Sequence, residues 1–177
     1  FRDRDQEQVA FLAVQSLVDE AHTTPKPGLV DCRNNGSHKD MDVRLFELSA
    51  HTLQPYFEKC VRIGQETALR SAEETFPLLR EAGLQTEKAM LQATGGVNTH
   101  KGAIYTLGIL CGSVGRLWSA EKPIADREEI LSECARIAHT SVQEDLASAK
   151  GKTAGERLYL QQGIRGIRGE IAEGLPS

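Results

Sequence analysis

The sequence is poor in aromatic residues, in positive charge and in paired cysteines, and each shortage removes a class of protein. Aromatics are 5% of its 177 residues, too few for a sheet that stacks nucleobases. Lysine plus arginine is 21 against 25 acidic residues, a formal charge of −4, so there is no basic excess to neutralise a nucleic-acid backbone. No run of about 18 apolar residues exists, which excludes a membrane-spanning helix. The four cysteines, Cys32, Cys60, Cys111 and Cys134, form no CxxC pair, which argues against a structural zinc site. Cys60, Cys111 and Cys134 lie in apolar helical patterns and read as reduced, buried hydrophobes of a cytoplasmic protein. No alternating stretch of the strand type stands out.

What is present is helical. Hydrophobic residues are 40% and charged residues 26%, enough to bury a core and to exclude intrinsic disorder. Apolar residues recur at three- and four-residue spacing almost throughout, predicting one all-α domain over residues 1–177 with six to eight helices. The first helix is expected over Gln6–His22. A polar, proline-stiffened segment follows from Pro25 to Asp42, and Asp42 can cap the next helix, with Leu45, Leu48 and Leu53 on its apolar face. Pro55 kinks that helix or starts another. Phe76-Pro77 reads as a short turn, Gly83 as a break, and Thr94-Gly95-Gly96 as the end of a helix over Leu84–Ala93. A further helix is expected from Asn98 or Thr99, and another from Asp126 to Ala149. The tail is punctuated by glycines. The ends, Phe1 and Pro176-Ser177, read as cut from a longer all-α chain with further C-terminal helices, and no signal peptide opens the sequence.

Three segments carry the chemistry. In Ala93–Ala103, Gly95 and Gly96 let the backbone approach a ligand, and Asn98 or Thr99 can cap the following helix, whose first amides suit phosphate. His100 and Lys101 fall in that first turn, where the dipole disfavours a cation and a bound anion would relieve the conflict. The loop Thr24–Asp42 holds Lys26, Asp31, Asn34, Asn35, His38, Asp40 and Asp42. Its aspartates are hard oxygen ligands fit for a Mg²⁺ ion on substrate phosphates, although Asp42 serves equally as a helix cap. In Gly155–Glu170, Arg165 and Arg168 can clamp phosphates or pair with Glu170. Glu87 precedes Thr94 by two turns and can point at the glycine turn as a base or metal ligand. Otherwise it is a solvated surface residue. His22, His51 and His139 show no partner spacing, and no cysteine–histidine arrangement for Cys32 follows from spacing.

These residues bring a resemblance with them. TPKPGLVD at 24–31, NNGSHKDMD at 34–42, ATGGVNTHKGAI at 93–104 and GERLYLQQGIRGIRGE at 155–170 resemble the signature segments of the triphosphoribosyl-dephospho-CoA synthase family. The resemblance runs from about Val14 to Ser177, and four motifs in order make it specific. It implies an all-α transferase that joins C1′ of the ATP ribose to the 2′-hydroxyl of 3′-dephospho-CoA and releases adenine. The product would be the prosthetic-group precursor for the acyl carrier subunit of citrate lyase or malonate decarboxylase, attached by a separate transferase. ATP and dephospho-CoA are then the partners, with a homo-oligomer as a further expectation and neither nucleic acid nor membrane involved.

That chemistry maps onto the candidates. Gly95, Gly96, Asn98, Thr99 and Lys101, with Lys26, Asn34, Asn35, Arg165 and Arg168, are expected to hold ATP phosphates. Asp40 and Asp42 are expected to hold Mg²⁺. Glu87 and Asp31 are the candidate base and carboxylate beside an oxocarbenium-like C1′, and His38 and His100 the acids that protonate adenine. Two other readings stay open: a Mg²⁺-dependent all-α nucleotide phosphohydrolase, and a truncated nucleotide- or CoA-binding module without turnover.

Overall fold

The protein is seen as a computed structural model that describes residues 3–26, 30–33, 41–118, 125–147, 160–161 and 166–175. Among these the architecture is all-α, as the periodicity predicts: α1 (Asp3–His22), α2 (Val43–Thr52), α3 (Gln54–Glu66), a 3-10 turn (Ala72–Glu74), α4 (Thr75–Ala93), α5 (Lys101–Leu117), α6 (Arg127–Ala147) and α7 (Gly166–Ala172). The described residues contain no strand.

Several helix ends follow local chemistry. Asp42 caps α2, its carboxylate accepting from the Leu45 amide at 2.8 Å. Asp126 and Glu129 form a reciprocal capping box at the start of α6, with bonds of 2.9 and 3.0 Å. Pro55 starts α3 rather than kinking its predecessor. Other expectations fail. Phe76-Pro77 is no turn: Pro77 sits in the first turn of α4, where its missing N–H costs no helical bond. Gly83 is no break, because α4 runs through it unbroken to Ala93, and a Cβ there would stand 3.3 Å from the Tyr56 hydroxyl. A close helix neighbour, not a turn, accounts for this glycine. Leu48 is about half exposed, and α2 instead buries Ser49 and Ala50.

The core is built around α3 and α5. Phe57, Cys60 and Val61 from α3, Met90 of α4, and Cys134 and Ile137 of α6 are fully buried, and Ile109 of α5 is nearly so. Each large apolar side chain so buried is worth about 1.5–3 kcal/mol. The two central helices touch through backbone. A Cβ on Gly64 would lie 2.0 Å from the Gly112 carbonyl oxygen, and one on Gly115 would lie 2.1 Å from the Val61 carbonyl oxygen. Tyr56 fills the space beside Gly108 and donates its hydroxyl to the Ile104 carbonyl at 2.9 Å. At the far end Arg116 donates to Glu133 of α6 at 2.5 Å, to Thr75 Oγ1 at 2.9 Å and to the Arg70 carbonyl at 2.9 Å. Both members of the Arg116–Glu133 pair have side chains only 5% exposed. All four cysteines are free thiols, three buried and Cys32 exposed.

Candidate active site

A cleft of about 320 Å³ opens between α4, α5 and α7, with Tyr56 of α3 at its base. Its floor is apolar, from Phe76, Leu79, Ile104 and Ile109. Its rim carries Arg80, Glu87, Lys101 and Arg168, three cations against one carboxylate. The size lies at the lower end of small-molecule sites. The Arg168 guanidinium sits over the Tyr105 ring, 5.6 Å from its centroid, and Phe76 meets the same ring edge-on at 6.2 Å.

Glu87 and Lys101 meet here. Lys101 Nζ lies 2.7 Å from Glu87 Oε1, with side chains 58% and 25% exposed. Glu87 therefore points at the start of α5, not at the glycine turn. The cation placed against the helix dipole is offset by this carboxylate, and no bound anion is needed to explain it. The helix begins at Lys101, later than the expected Asn98 or Thr99. Asn98 still serves its start, accepting from the Lys101 amide at 3.3 Å, but Thr99 bonds Ser49 instead. Among the described residues no acceptor pairs with the Gly102 and Ala103 amides, and Gly102 lines the cleft. This helix end and the cationic rim suit the oxygens of a phosphate chain.

The glycine turn itself is not the cradle. Gly95 and Gly96 do take positive φ, 66° and 92°. Their amides, however, turn back on α4: the Gly96 N–H bonds the Leu91 carbonyl at 2.7 Å and the Gly95 N–H approaches the Gln92 carbonyl at 3.4 Å. This closes a helix C-terminus, the negative end of the dipole, and leaves neither N–H for a phosphate. Thr94 completes the cap by donating to the Val97 carbonyl at 2.6 Å.

His100 corrects another expectation. Its residue is 5% exposed, its Nδ1 is 2.7 Å from Ser49 Oγ, and its ring stacks edge-on against Phe46 at 5.0 Å. Burial lowers its pKa to about 4, against the raising influence of Glu20. At neutral pH it is a neutral imidazole and cannot serve as an imidazolium acid. Its Nε2 is buried without a hydrogen-bond partner among the described residues.

The described loop residues, Lys26, Asp31 and Asp42, do not line the cleft. Asp31 is buried, its two carboxylate oxygens accepting from the amides of Lys26 at 2.9 Å and Arg33 at 2.7 Å. Lys26 Nζ is tied to the Glu20 carbonyl at 2.8 Å and to its carboxylate at 3.0 Å, at the end of α1, so this ammonium does not reach the cleft. Asp42 caps α2. Asn34, Asn35, His38, Asp40 and Arg165 lie outside the described residues. No group of three His, Cys, Asp or Glu fit for a metal ion occurs among the described residues.

Arg80, Tyr105 and Ser49 are not among the residues that the sequence motifs single out. For the first two a signal existed in helical spacing. Arg80, Leu84 and Glu87 share one face of α4, and Lys101 and Tyr105 share one face of α5. Ser49 acts through a contact 51 residues away in sequence, which no local pattern shows.

Comparison with known proteins gives the family. The family described as ATP:dephospho-CoA triphosphoribosyl transferase matches residues 6–177. A Klebsiella pneumoniae protein named 2-(5''-triphosphoribosyl)-3'-dephosphocoenzyme-A synthase is 41% identical over 170 residues, covering 95% of this chain and 56% of the relative. A Vibrio cholerae protein of the same name, prefixed Probable, is 44% identical over 170 residues, covering 94% of this chain and 54% of the relative. A Salmonella choleraesuis relative is 41% identical over 165 residues. No solved structure matches. The chain thus spans about half the length of the curated relatives it matches. With four signature segments in order and a match from residue 6 to residue 177, this chain belongs to the ATP:dephospho-CoA triphosphoribosyl transferase family.

Proposed function

We propose that this chain carries the nucleotide-handling part of a transferase that moves the triphosphoribosyl group of ATP onto the 2′-hydroxyl of 3′-dephospho-CoA and releases adenine. The observation that carries it is the cleft: an apolar, aromatic floor beneath three cations, one carboxylate and the open start of a long helix. The triphosphate would lie against Arg80, Arg168 and the first amides of α5. Glu87, held in place by Lys101, would stabilise positive charge developing at C1′ or take the hydroxyl proton of dephospho-CoA. His100 would position this segment through Ser49 and Thr99.

The described residues bring no three metal-ligating side chains together, and Asp31 and Asp42 accept from backbone amides. Mg²⁺ enters this proposal as the ion that accompanies ATP, and no step is routed through it. A cytoplasmic setting and a product destined for the carrier subunit of citrate lyase or malonate decarboxylase belong to the same proposal. Free cysteines and the lack of a membrane-length apolar helix among the described residues fit the setting.

The test is incubation with ATP, Mg²⁺ and dephospho-CoA, followed by liquid chromatography and mass spectrometry. Free adenine with triphosphoribosylated dephospho-CoA is expected. Pyrophosphate or ADP would replace the transferase with a phosphohydrolase. Unchanged ATP with measurable binding would leave a nucleotide-binding module.

A further inference from the structure

Away from the cleft, three elements bring a thiol, an imidazole and a carboxylate into line. Cys32 Sγ, in the loop after α1, lies 3.2 Å from His22 Nδ1 at the end of α1. The other ring nitrogen, Nε2, bonds Glu47 Oε1 on α2. This arrangement assigns the tautomer. A carboxylate accepts, so Nε2 carries a hydrogen, and in the neutral ring Nδ1 then presents its lone pair to the thiol. Nucleophile, base and orienting carboxylate thus occur in the order that activates a cysteine. A second acceptor for the thiol, the His22 carbonyl, stands farther off at 3.8 Å. The group is open to solvent: Cys32 is exposed and the His22 and Glu47 side chains are 47% and 37% exposed.

The other three cysteines form the contrast. Cys60, Cys111 and Cys134 are buried, and burial pushes Cys60 up to about 12, Cys134 up to about 11 and Cys111 well above its usual value. They have neither access nor thiolate.

We propose that Cys32 is a reactive thiol, activated by His22 and Glu47, that exchanges with low-molecular-weight disulfides and takes a mixed-disulfide modification. Cys32 Sγ attacks one sulfur of the disulfide, whose S–S bond breaks. The thiol proton passes to His22 Nδ1 and then to the departing thiolate. One disulfide is consumed and one forms, with one free thiol released, so no further oxidant is required. The site adjoins Asp31, whose carboxylate accepts from the amides of Lys26 and of Arg33, the residue after Cys32. The proposal stands independently of the transferase reading.

The experiment treats the native chain with glutathione disulfide at pH 7 and follows the adduct by intact and peptide mass spectrometry. One adduct per chain is expected, on Cys32, formed at least tenfold faster than on a free cysteine-containing peptide. His22→Gln should slow it at least tenfold and Glu47→Gln several-fold. As a check that needs no variant, wild-type chain unfolded in urea should lose the advantage, with Cys32 slowing to the rate of the other three while theirs rise. A native Cys32 no faster than the peptide, a His22→Gln rate equal to wild type in a folded variant, or a Cys32 that speeds up on unfolding would each overturn the proposal.

Discussion

Replacing Gly115 by alanine should destabilise the protein, although alanine is the better helix former. The new Cβ would stand 2.1 Å from the Val61 carbonyl oxygen and 3.2 Å from the Gln65 amide nitrogen. Neither is a flexible side chain that can swing away, so α3 and α5 must part by roughly 1 Å, and overpacking of this kind costs on the order of 3 kcal/mol. Helix propensity returns about 1 kcal/mol. The net loss is about 2 kcal/mol, which for a chain of this size lowers Tm by about 4–8 °C. Gly102 supplies the internal control. It lies in the same helix and has nothing within 4 Å of its would-be Cβ. Gly102→Ala should leave Tm unchanged or raise it slightly. Thermal unfolding followed by circular dichroism at 222 nm compares the two. A Gly115→Ala protein as stable as Gly102→Ala would refute the backbone contact between α3 and α5.

The buried His100 makes stability pH-dependent. Its folded pKa of about 4 lies below the unfolded value of 6.5, so the unfolded chain binds the proton more tightly. Stability is therefore complete above pH 6.5 and falls as pH drops toward 4, by on the order of 3 kcal/mol. Urea midpoints at pH 7.5 and 4.5 should differ more for wild type than for His100→Asn. Glu133→Gln leaves the buried Arg116 charge without its carboxylate and should cost about 3 kcal/mol or more, read as a fall in urea midpoint. Arg168→Ala, at an exposed rim position, should weaken ATP binding by about tenfold, as expected for loss of a charge-assisted contact, while barely moving Tm. Isothermal titration with ATP checks it. Glu87→Gln should lower turnover by at least about tenfold if the carboxylate acts in the reaction.

Helix content was legible because apolar periodicity is a local property. Glycine was the hard residue. The same type closes a helix at Gly95-Gly96, lets helices touch at Gly64 and Gly115, and accommodates Tyr56 at Gly83 and Gly108. Only the first role is written in neighbouring residues. The others depend on what packs opposite. The candidate site was legible in part for a similar reason. Glu87, Lys101 and Arg168 were named from the sequence and do share one cleft. Lys26, by contrast, is suggested by its charge alone, and its ammonium is held by Glu20. His100 was assigned a titration that burial removes, and burial is a property of the whole fold. The cysteine–histidine pair was invisible because its members sit on different elements, and Glu47 arrives from a third.

The pairing of Lys101 with Glu87 has a consequence for how this protein can be improved. In its present orientation a lysine occupies the first position of α5, where the dipole opposes it, and a glutamate sits on α4. Exchanging the two charges would keep the pair, place the carboxylate where the dipole favours it, and gain about 0.3–1 kcal/mol. A search for thermostable variants that watched melting alone would reward the exchange. It would also install a negative charge at the helix end that faces the cleft. Heat resistance and the proposed anion recognition pull this position in opposite directions, so stabilising screens on this chain need a ligand in the assay.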